Sequence, residues 1–167
     1  MRIYLGLGSN IGTRAQIIRQ ALEMMPAEGI TVIGVSRLYE TEPWGVGNQP
    51  RFINAVCEAV TELDPEALLT AVKAIERALG REPGVRWGPR PIDIDILLYD
   101  NQQIRTNDLT IPHPGMLWRA SVLVPLVELA PELKHPQTGR TMQDHLRDLG
   151  PVPDVAPYPP GLPTRKE

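Results

Sequence analysis

Residues 86–100 read RWGPRPIDIDILLYD, and two aspartates in this run, Asp93 and Asp95, are set one residue apart in an otherwise apolar segment. Side chains alternate along a strand, so Asp93 and Asp95 share one face while Ile92, Ile94, Ile96 and Leu98 share the other. Twice the strand rise puts the two aspartate Cα atoms about 6.6 Å apart, close enough for both carboxylates to grip one cation. Two carboxylates near 4 Å repel by about 4 kcal/mol at an effective dielectric near 20, less where solvent screens them. Either a pKa rises or a counter-charge is supplied. Oxygen ligands with no accompanying Cys or His cluster favour Mg²⁺, which keeps several waters and accepts phosphate oxygens. Arg86 and Arg90, just ahead of the strand, can then neutralise phosphate that the acids would repel. The alternative is that DID is only the wet face of an alternating strand. The rigid RWGPRP lead-in, Arg81 before it and the later TIPHP segment favour a magnesium-nucleotide site.

These groups need a frame. Residues 3–7, IYLGL, read as a first strand, and GSNIGT turns the chain into a helix from about 14 to 25 with Ile18, Ala21, Leu22 and Met25 on one stripe. Gly6 and Gly8 suit a close turn, and Ser9, Asn10 or Thr13 is the candidate helix cap. GLGSN is not a Walker A loop, since the GKS or GKT ending is absent. Strand-like segments at 31–41 and 52–61 flank EPWGVGNQPR, which is too long for a tight hairpin and can form a binding wall. Asp64 and Pro65 open a second helix, Leu68, Val72, Ile75 and Leu79 keep its period, and Gly80 closes it. The strand at 92–99 follows, and SVLVPLVELAP reads as a short helix interrupted near Pro125. The order β-α-β-β-α-β predicts an α+β, ferredoxin-like sandwich: an antiparallel sheet with two helices on one side and further helical elements toward the C-terminus.

A chain of 167 residues suits one core. Residues 1–149 are expected to form the domain, and 150–167, with six prolines in PVPDVAPYPPGLPTRKE, an extended, partly mobile tail. A net charge of -3 and few aromatics argue against nucleic acid. No apolar run is long enough for a secretory leader or a membrane span, so the expected setting is cytoplasmic, with no membrane partner and a monomeric state. Cys57, the one cysteine, sits in the apolar run FINAVCEAV and reads as a buried small hydrophobe.

RWGPRPIDIDILLYD, taken with GLGSN, YETEPWG, FINAV, IERALGR and LTIPHPGM, closely resembles the 6-hydroxymethyl-7,8-dihydropterin pyrophosphokinase family of folate biosynthesis over about residues 2–148. The resemblance implies transfer of the β,γ-diphosphoryl group of ATP to the 6-hydroxymethyl oxygen of the pterin, with two Mg²⁺ ions held by Asp93 and Asp95. It implies that Arg81 and Arg90 meet the triphosphate, and that Arg86, toward the nucleotide, and Trp87, toward the pterin, belong to a lead-in that closes the site. The pterin side resembles Thr41, Glu42, Trp44, Phe52 and Asn54. The nucleotide side resembles Lys73, Glu76, the Ile96 backbone, Thr110, His113 and Arg119, with His113 a phosphate or ribose contact.

The chain departs from that pattern in three places. Ser121 stands where the family often has an aromatic opposite Phe52, leaving Trp44 or Trp118 as the second wall. Asp108 replaces an arginine found in some relatives, and EPGV between Arg81 and Arg86 is short and lacks an additional arginine. Two rival classes share the expected fold. A small acylphosphatase-like hydrolase would need no pterin, and a regulatory domain would bind ATP without converting it.

Overall fold

The structure is a computed structural model describing residues 1–42, 49–81 and 91–158. Trp44, Arg86, Trp87 and Arg90 lie outside the described residues. Strand β1 (Arg2–Ser9) leads to helix α1 (Arg14–Met24), strands β2 (Ile30–Val35), β3 (Tyr39–Thr41) and β4 (Phe52–Thr61), and helix α2 (Pro65–Ala78). Strand β5 (Asp93–Tyr99) is followed by a two-residue ribbon, β6 (Ile104–Arg105) and β7 (Thr110–Ile111), helices α3 (Ala120–Leu129) and α4 (Met142–Leu149), and strand β8 (Val155–Pro157).

Local chemistry sets α2. The Asp64 carboxylate accepts the Ala67 N–H at 2.8 Å, Pro65 occupies the first turn, and Gly80 takes φ +93 just past the end. Its stripe Leu68, Val72 and Ile75 is fully buried. At α1 the expected side-chain cap is absent: Thr13 is the N-cap residue but makes no cap bond. Asn10 instead donates to Gln49 Oε1 (2.8 Å) and the Pro50 carbonyl (3.2 Å), so it holds the chain entering β4.

The sheet is antiparallel, in the order β5-β1-β4-β3-β8, with β2 also on β4. The expected strand 31–41 is two strands. β2 pairs with the second half of β4 (Ile30↔Thr61 to Val35↔Cys57) and β3 with its first residues (Tyr39↔Asn54 to Thr41↔Phe52). Ser36 makes the break possible, because its N–H donates to the Val56 carbonyl (2.9 Å) and its hydroxyl accepts the Val56 N–H (3.0 Å). A side chain thus replaces backbone in the ladder, and the strand is free to change register. Cys57 is fully buried within β4, and burial pushes its thiol up to about 12.

The two sides of the sheet are covered differently. One core joins Ile3, Leu5, Leu7, Ile18, Leu68, Val72, Ile92, Ile94 and Ile96 beneath α1 and α2. A second core on the opposite side joins Tyr4, Val56, Leu97 and Leu98 to Leu123 and Leu126 of α3 and Met142 of α4. The aspartate side is therefore only partly open, and, contrary to expectation, Leu98 does not share the isoleucine face. The β1–β5 register shifts between Tyr4 and Leu5, so Leu97 has no partner and the alternation flips after it.

Helix α3 runs unbroken through Pro125. Proline φ is helical, and full burial of Leu123 and Leu126, at roughly 1.5–3 kcal/mol each, outweighs one missing backbone bond. Within the described part of the tail, β8 pairs with β3, extending the sheet beyond it. Among the described residues no helix is long and apolar enough to cross a membrane.

Candidate active site

The site is a product of strand register. Asp93, Gly8, Asn54 and Tyr39 lie opposite one another across β5, β1, β4 and β3, and Asp95, Gly6 and Val56 form the next row. Residues directly opposite in antiparallel strands project to the same side, so both aspartates face the same way as Asn54 and Phe52. Between acids and carboxamide stand only glycines. They lie within β1 rather than in a close turn, and the space their missing side chains leave lets neighbours close in: Leu97 lies 3.6 Å from where a Gly6 β-carbon would stand, and Asn54 and Phe52 lie over Gly8. A β-carbon on Gly8 would lie 2.8 Å from Asn54 Oδ1 and 3.4 Å from Phe52 Cδ1.

The resulting cleft encloses about 650 Å³, including the solvent at its mouth, and is lined by Gly6, Gly8, Thr41, Glu42, Phe52, Asn54, Asp93 and Asp95, with Arg119, Ser121 and Val122 at the start of α3. Asn54 Nδ2 donates to Thr41 Oγ1 at 2.5 Å, which turns the Asn54 oxygen toward Gly8. Glu42 pairs with Arg51, and Arg51 also approaches Glu40 at 3.6 Å. Thr41, Glu42, Phe52 and Asn54, the residues expected to meet the pterin, therefore share one cleft with both aspartates. Trp118 is 62% exposed and does not line it; the wall supplied by α3 is Ser121 and Val122.

Electrostatics divides the two acids. Asp93 accepts Arg81 Nη1 at 2.7 Å, and the same nitrogen donates to Glu76 at 2.5 Å. The Asp95 carboxyl is pushed up to about 7, first by burial and then by the charge of Asp93, with Arg119 opposing. A third of its side chain still reaches the cleft (35%), so burial here means the bottom of a walled site. Burial is thus the larger cause of the raised pKa, and repulsion from Asp93 adds to it. Among the described residues no group of three or more His, Cys, Asp or Glu could hold a metal. Paired carboxylates completed by water and phosphate oxygens fit Mg²⁺.

Of the residues expected to meet the nucleotide, Arg119 lines the cleft, while Lys73, Glu76, Ile96, Thr110 and His113 lie around the outer edge of β5. Glu76 is 2% exposed and clamps α2 to β5: it accepts the Ile94 N–H (2.8 Å) and pairs with Arg81 and Lys73 (3.3 Å). Since Ile94 turns its N–H outward to α2, Ile96, two residues on, presents its backbone on the same outer edge. His113 is fixed to this strand by its own N–H, which donates to the Leu97 carbonyl at 3.0 Å. Its Nδ1 accepts the Gly115 N–H (3.1 Å), so the neutral ring carries its proton on Nε2, which lies 4.0 Å from Asp95 Oδ2. Burial and Arg119 lower the His113 pKa to about 4, keeping the ring a neutral donor. Thr110 sits on β7 opposite Arg105, beside β5.

The sequence did not single out Val122, or the Arg14 and Arg51 pair that braces the wall. Arg14 bonds Glu40 at 3.1 Å and the Arg51 carbonyl at 2.8 Å. No local motif marks them, because their contacts cross between elements.

A family model described as 7,8-dihydro-6-hydroxymethylpterin-pyrophosphokinase matches residues 4–131. The 2-amino-4-hydroxy-6-hydroxymethyldihydropteridine pyrophosphokinase of Methylorubrum extorquens is 46% identical, over 90% of this chain and 94% of that protein. The protein of the same name from Aquifex aeolicus is 44% identical over 80% of this chain and 83% of its own length. Folic acid synthesis protein fol1 of Pneumocystis carinii is 42% identical over 88% of this chain, yet the chain spans only 20% of that longer protein. Among solved structures, an HPPK-DHPS in complex with substrates has a TM-score of 0.72 at 17% identity, covering 88% of this chain and 43% of that one, a likeness of fold. A match that takes in the glycines of β1, both aspartates and the start of α3 makes the assignment plain: the chain belongs to the 7,8-dihydro-6-hydroxymethylpterin-pyrophosphokinase family.

Proposed function

We propose that this cleft transfers the β,γ-diphosphoryl group of ATP to the 6-hydroxymethyl oxygen of 6-hydroxymethyl-7,8-dihydropterin. The oxygen–Pβ bond forms, the bond from Pβ to the bridging oxygen breaks, AMP leaves with that oxygen, and the hydroxyl proton is released. The observation that carries this reading is the register that puts Asp93 and Asp95 in the same cleft as Phe52, Asn54 and Thr41. We read the sheet as a ferredoxin-like β-α-β-β-α-β unit in residues 1–149, elaborated by α3, α4 and the tail strand.

The pterin ring lies in the cleft beside Gly6 and Gly8, with Phe52 against one face. The Asn54 oxygen accepts from the amino and amide edge, and Thr41 and Glu42 close that end. Asp93 and Asp95 would hold two Mg²⁺ ions, which when bound neutralise the triphosphate and acidify the attacking hydroxyl. Arg81 exchanges its carboxylate partners for phosphate, joined by Arg119, Lys73 and, from outside the described residues, Arg86 and Arg90. The neutral His113 donates Nε2–H to a phosphate oxygen without adding charge. Glu76 holds the β5 edge where the Ile96 backbone and Thr110 meet the nucleotide, and Trp44 and Trp87 belong to the pterin side. Such a site works by positioning and charge stabilisation, with no covalent protein intermediate. The reading needs one chain, ATP and the pterin, with no nucleic acid and no membrane.

The decisive assay mixes protein, ATP, Mg²⁺ and the pterin and resolves the nucleotide products. AMP formed only when pterin is present supports the reading. ADP, or turnover unchanged without pterin, rejects it and favours a hydrolase.

A further inference from the structure

We propose that residues 154–158, beyond the stretch matched by the family model, are a strap that positions the Thr41–Glu42 wall, so that the tail sets affinity for the pterin; this rests on the reading of the cleft above. Strand β3 has three residues and would be an exposed edge without β8. Tyr158 N–H donates to the Leu38 carbonyl at 2.9 Å, which makes Leu38 and Tyr158 a hydrogen-bonded pair. Alternation then puts Ala156 and Glu40 in the next bonded pair and Pro157, opposite Tyr39, at a non-bonded position. Proline, which has no N–H, thus stands where the ladder asks for none. Val155 lies opposite Thr41, so its side chain is on the cleft side.

Two arginines fasten the strap to the same wall. Arg51 donates to the Asp154 carbonyl at 3.3 Å while pairing with Glu40 and Glu42. The Arg14 guanidinium lies 5.9 Å from the centre of the Tyr158 ring while bonding Glu40 at 3.1 Å and the Arg51 carbonyl at 2.8 Å. Tyr158 itself packs against the core. The ladder and the two arginines that hold the tail are therefore also holds on β3 or on the chain entering β4. Thr41 passes that constraint to Asn54 through their 2.5 Å bond.

The test uses the full chain with Ala156→Pro, which removes one ladder N–H, beside Ala156→Val, which keeps it at an exposed position. Ala156→Pro is expected to raise the pterin KM by about tenfold while the ATP KM and kcat stay within about threefold, and Ala156→Val to behave as the parent. Hydrogen exchange at residues 39–42 should quicken in Ala156→Pro alone. Unchanged pterin KM with unchanged exchange overturns the strap, as does a parallel loss in both KM values and kcat accompanied by a lower melting temperature. A parent chain that makes no AMP from the pterin defeats the reading of the cleft instead; the exchange measurement then still decides whether the tail orders the wall.

Discussion

Gly8 lies directly opposite Asn54, and a methyl group on Gly8 would sit 2.8 Å from the Asn54 side-chain oxygen, closer than any contact of that kind tolerates. The glycine is what lets the carboxamide lie over the sheet while its nitrogen bonds Thr41. Gly8→Ala should turn Asn54 away and raise the pterin KM by about tenfold, with the ATP KM little changed. Steady-state kinetics with each substrate varied in turn distinguishes this from a general loss of activity.

How much of this arrangement is legible along the chain follows from how local each signal is. The DID alternation and the boundaries of α2 are visible because a strand's period and an Asp-Pro start are properties of a few adjacent residues. The role of the β1 glycines is not, since it depends on Gly8 meeting both Asn54 and Asp93 across two strand pairings. The same holds for the split of 31–41, which turns on Ser36 bonding Val56, and for Leu98, displaced by a bulge that no residue type announces. Proline misled at Pro125, where burial keeps a helix intact; at Pro157 a non-bonded register admits proline into a sheet edge.

Asp95 and His113 should give opposing pH dependences. The Asp95 carboxyl titrates near 7 in the fold against about 3.9 unfolded, so the folded chain holds the extra proton between those values. Its contribution is most favourable below about pH 4 and is lost as pH rises through about 7. His113 is lowered to about 4, so its contribution is present above about 6.5 and is lost as pH falls toward 4. Without Mg²⁺, Asp95→Asn should therefore gain stability over the parent at pH 8 and lose that advantage at pH 4. Denaturant melts at the two pH values check it; an equal difference at both would contradict the raised pKa. In the assay, Asp95→Ala should cost at least about 100-fold in activity while the chain stays folded.

Glu76 is expected to report on stability as well as on nucleotide. Its buried carboxylate meets Arg81, Lys73 and the Ile94 N–H, and Glu76→Gln keeps an acceptor for the last but removes the charge from the first two. The change should cost about 2 kcal/mol in unfolding free energy, measured by urea denaturation, along with a higher ATP KM. A variant as stable as the parent would show that the clamp on β5 is dispensable.

Gly115 makes the contrasting case. A β-carbon there would meet the Arg119 guanidinium at 3.0–3.1 Å, and the backbone, at φ -97 and ψ 0, accepts alanine. The colliding group is the far end of a flexible side chain, so Gly115→Ala should leave stability within about 0.5 kcal/mol while moving Arg119. Because Arg119 lines the cleft beside Asp95, the expected readout is a raised ATP KM at an unchanged melting temperature. Arg119→Lys in the Gly115→Ala background should then cost less than it does in the parent.

Ser121 offers the one gain of function. It lines the cleft with Phe52, but a hydroxymethyl side chain gives a flat ring no aromatic face to lie against, and exposed Trp118 does not reach the lining. Ser121→Phe at the start of α3 adds that face without interrupting the sheet or the buried stripe of Leu123 and Leu126. An aromatic pair contributes about 0.5–1.5 kcal/mol beyond the area it buries, so the pterin KM or dissociation constant should fall by roughly 2- to 12-fold. Fluorescence titration with the pterin measures it. Weaker binding would mean that the space beside Ser121 is already used by the ring, so that an added aromatic group crowds it.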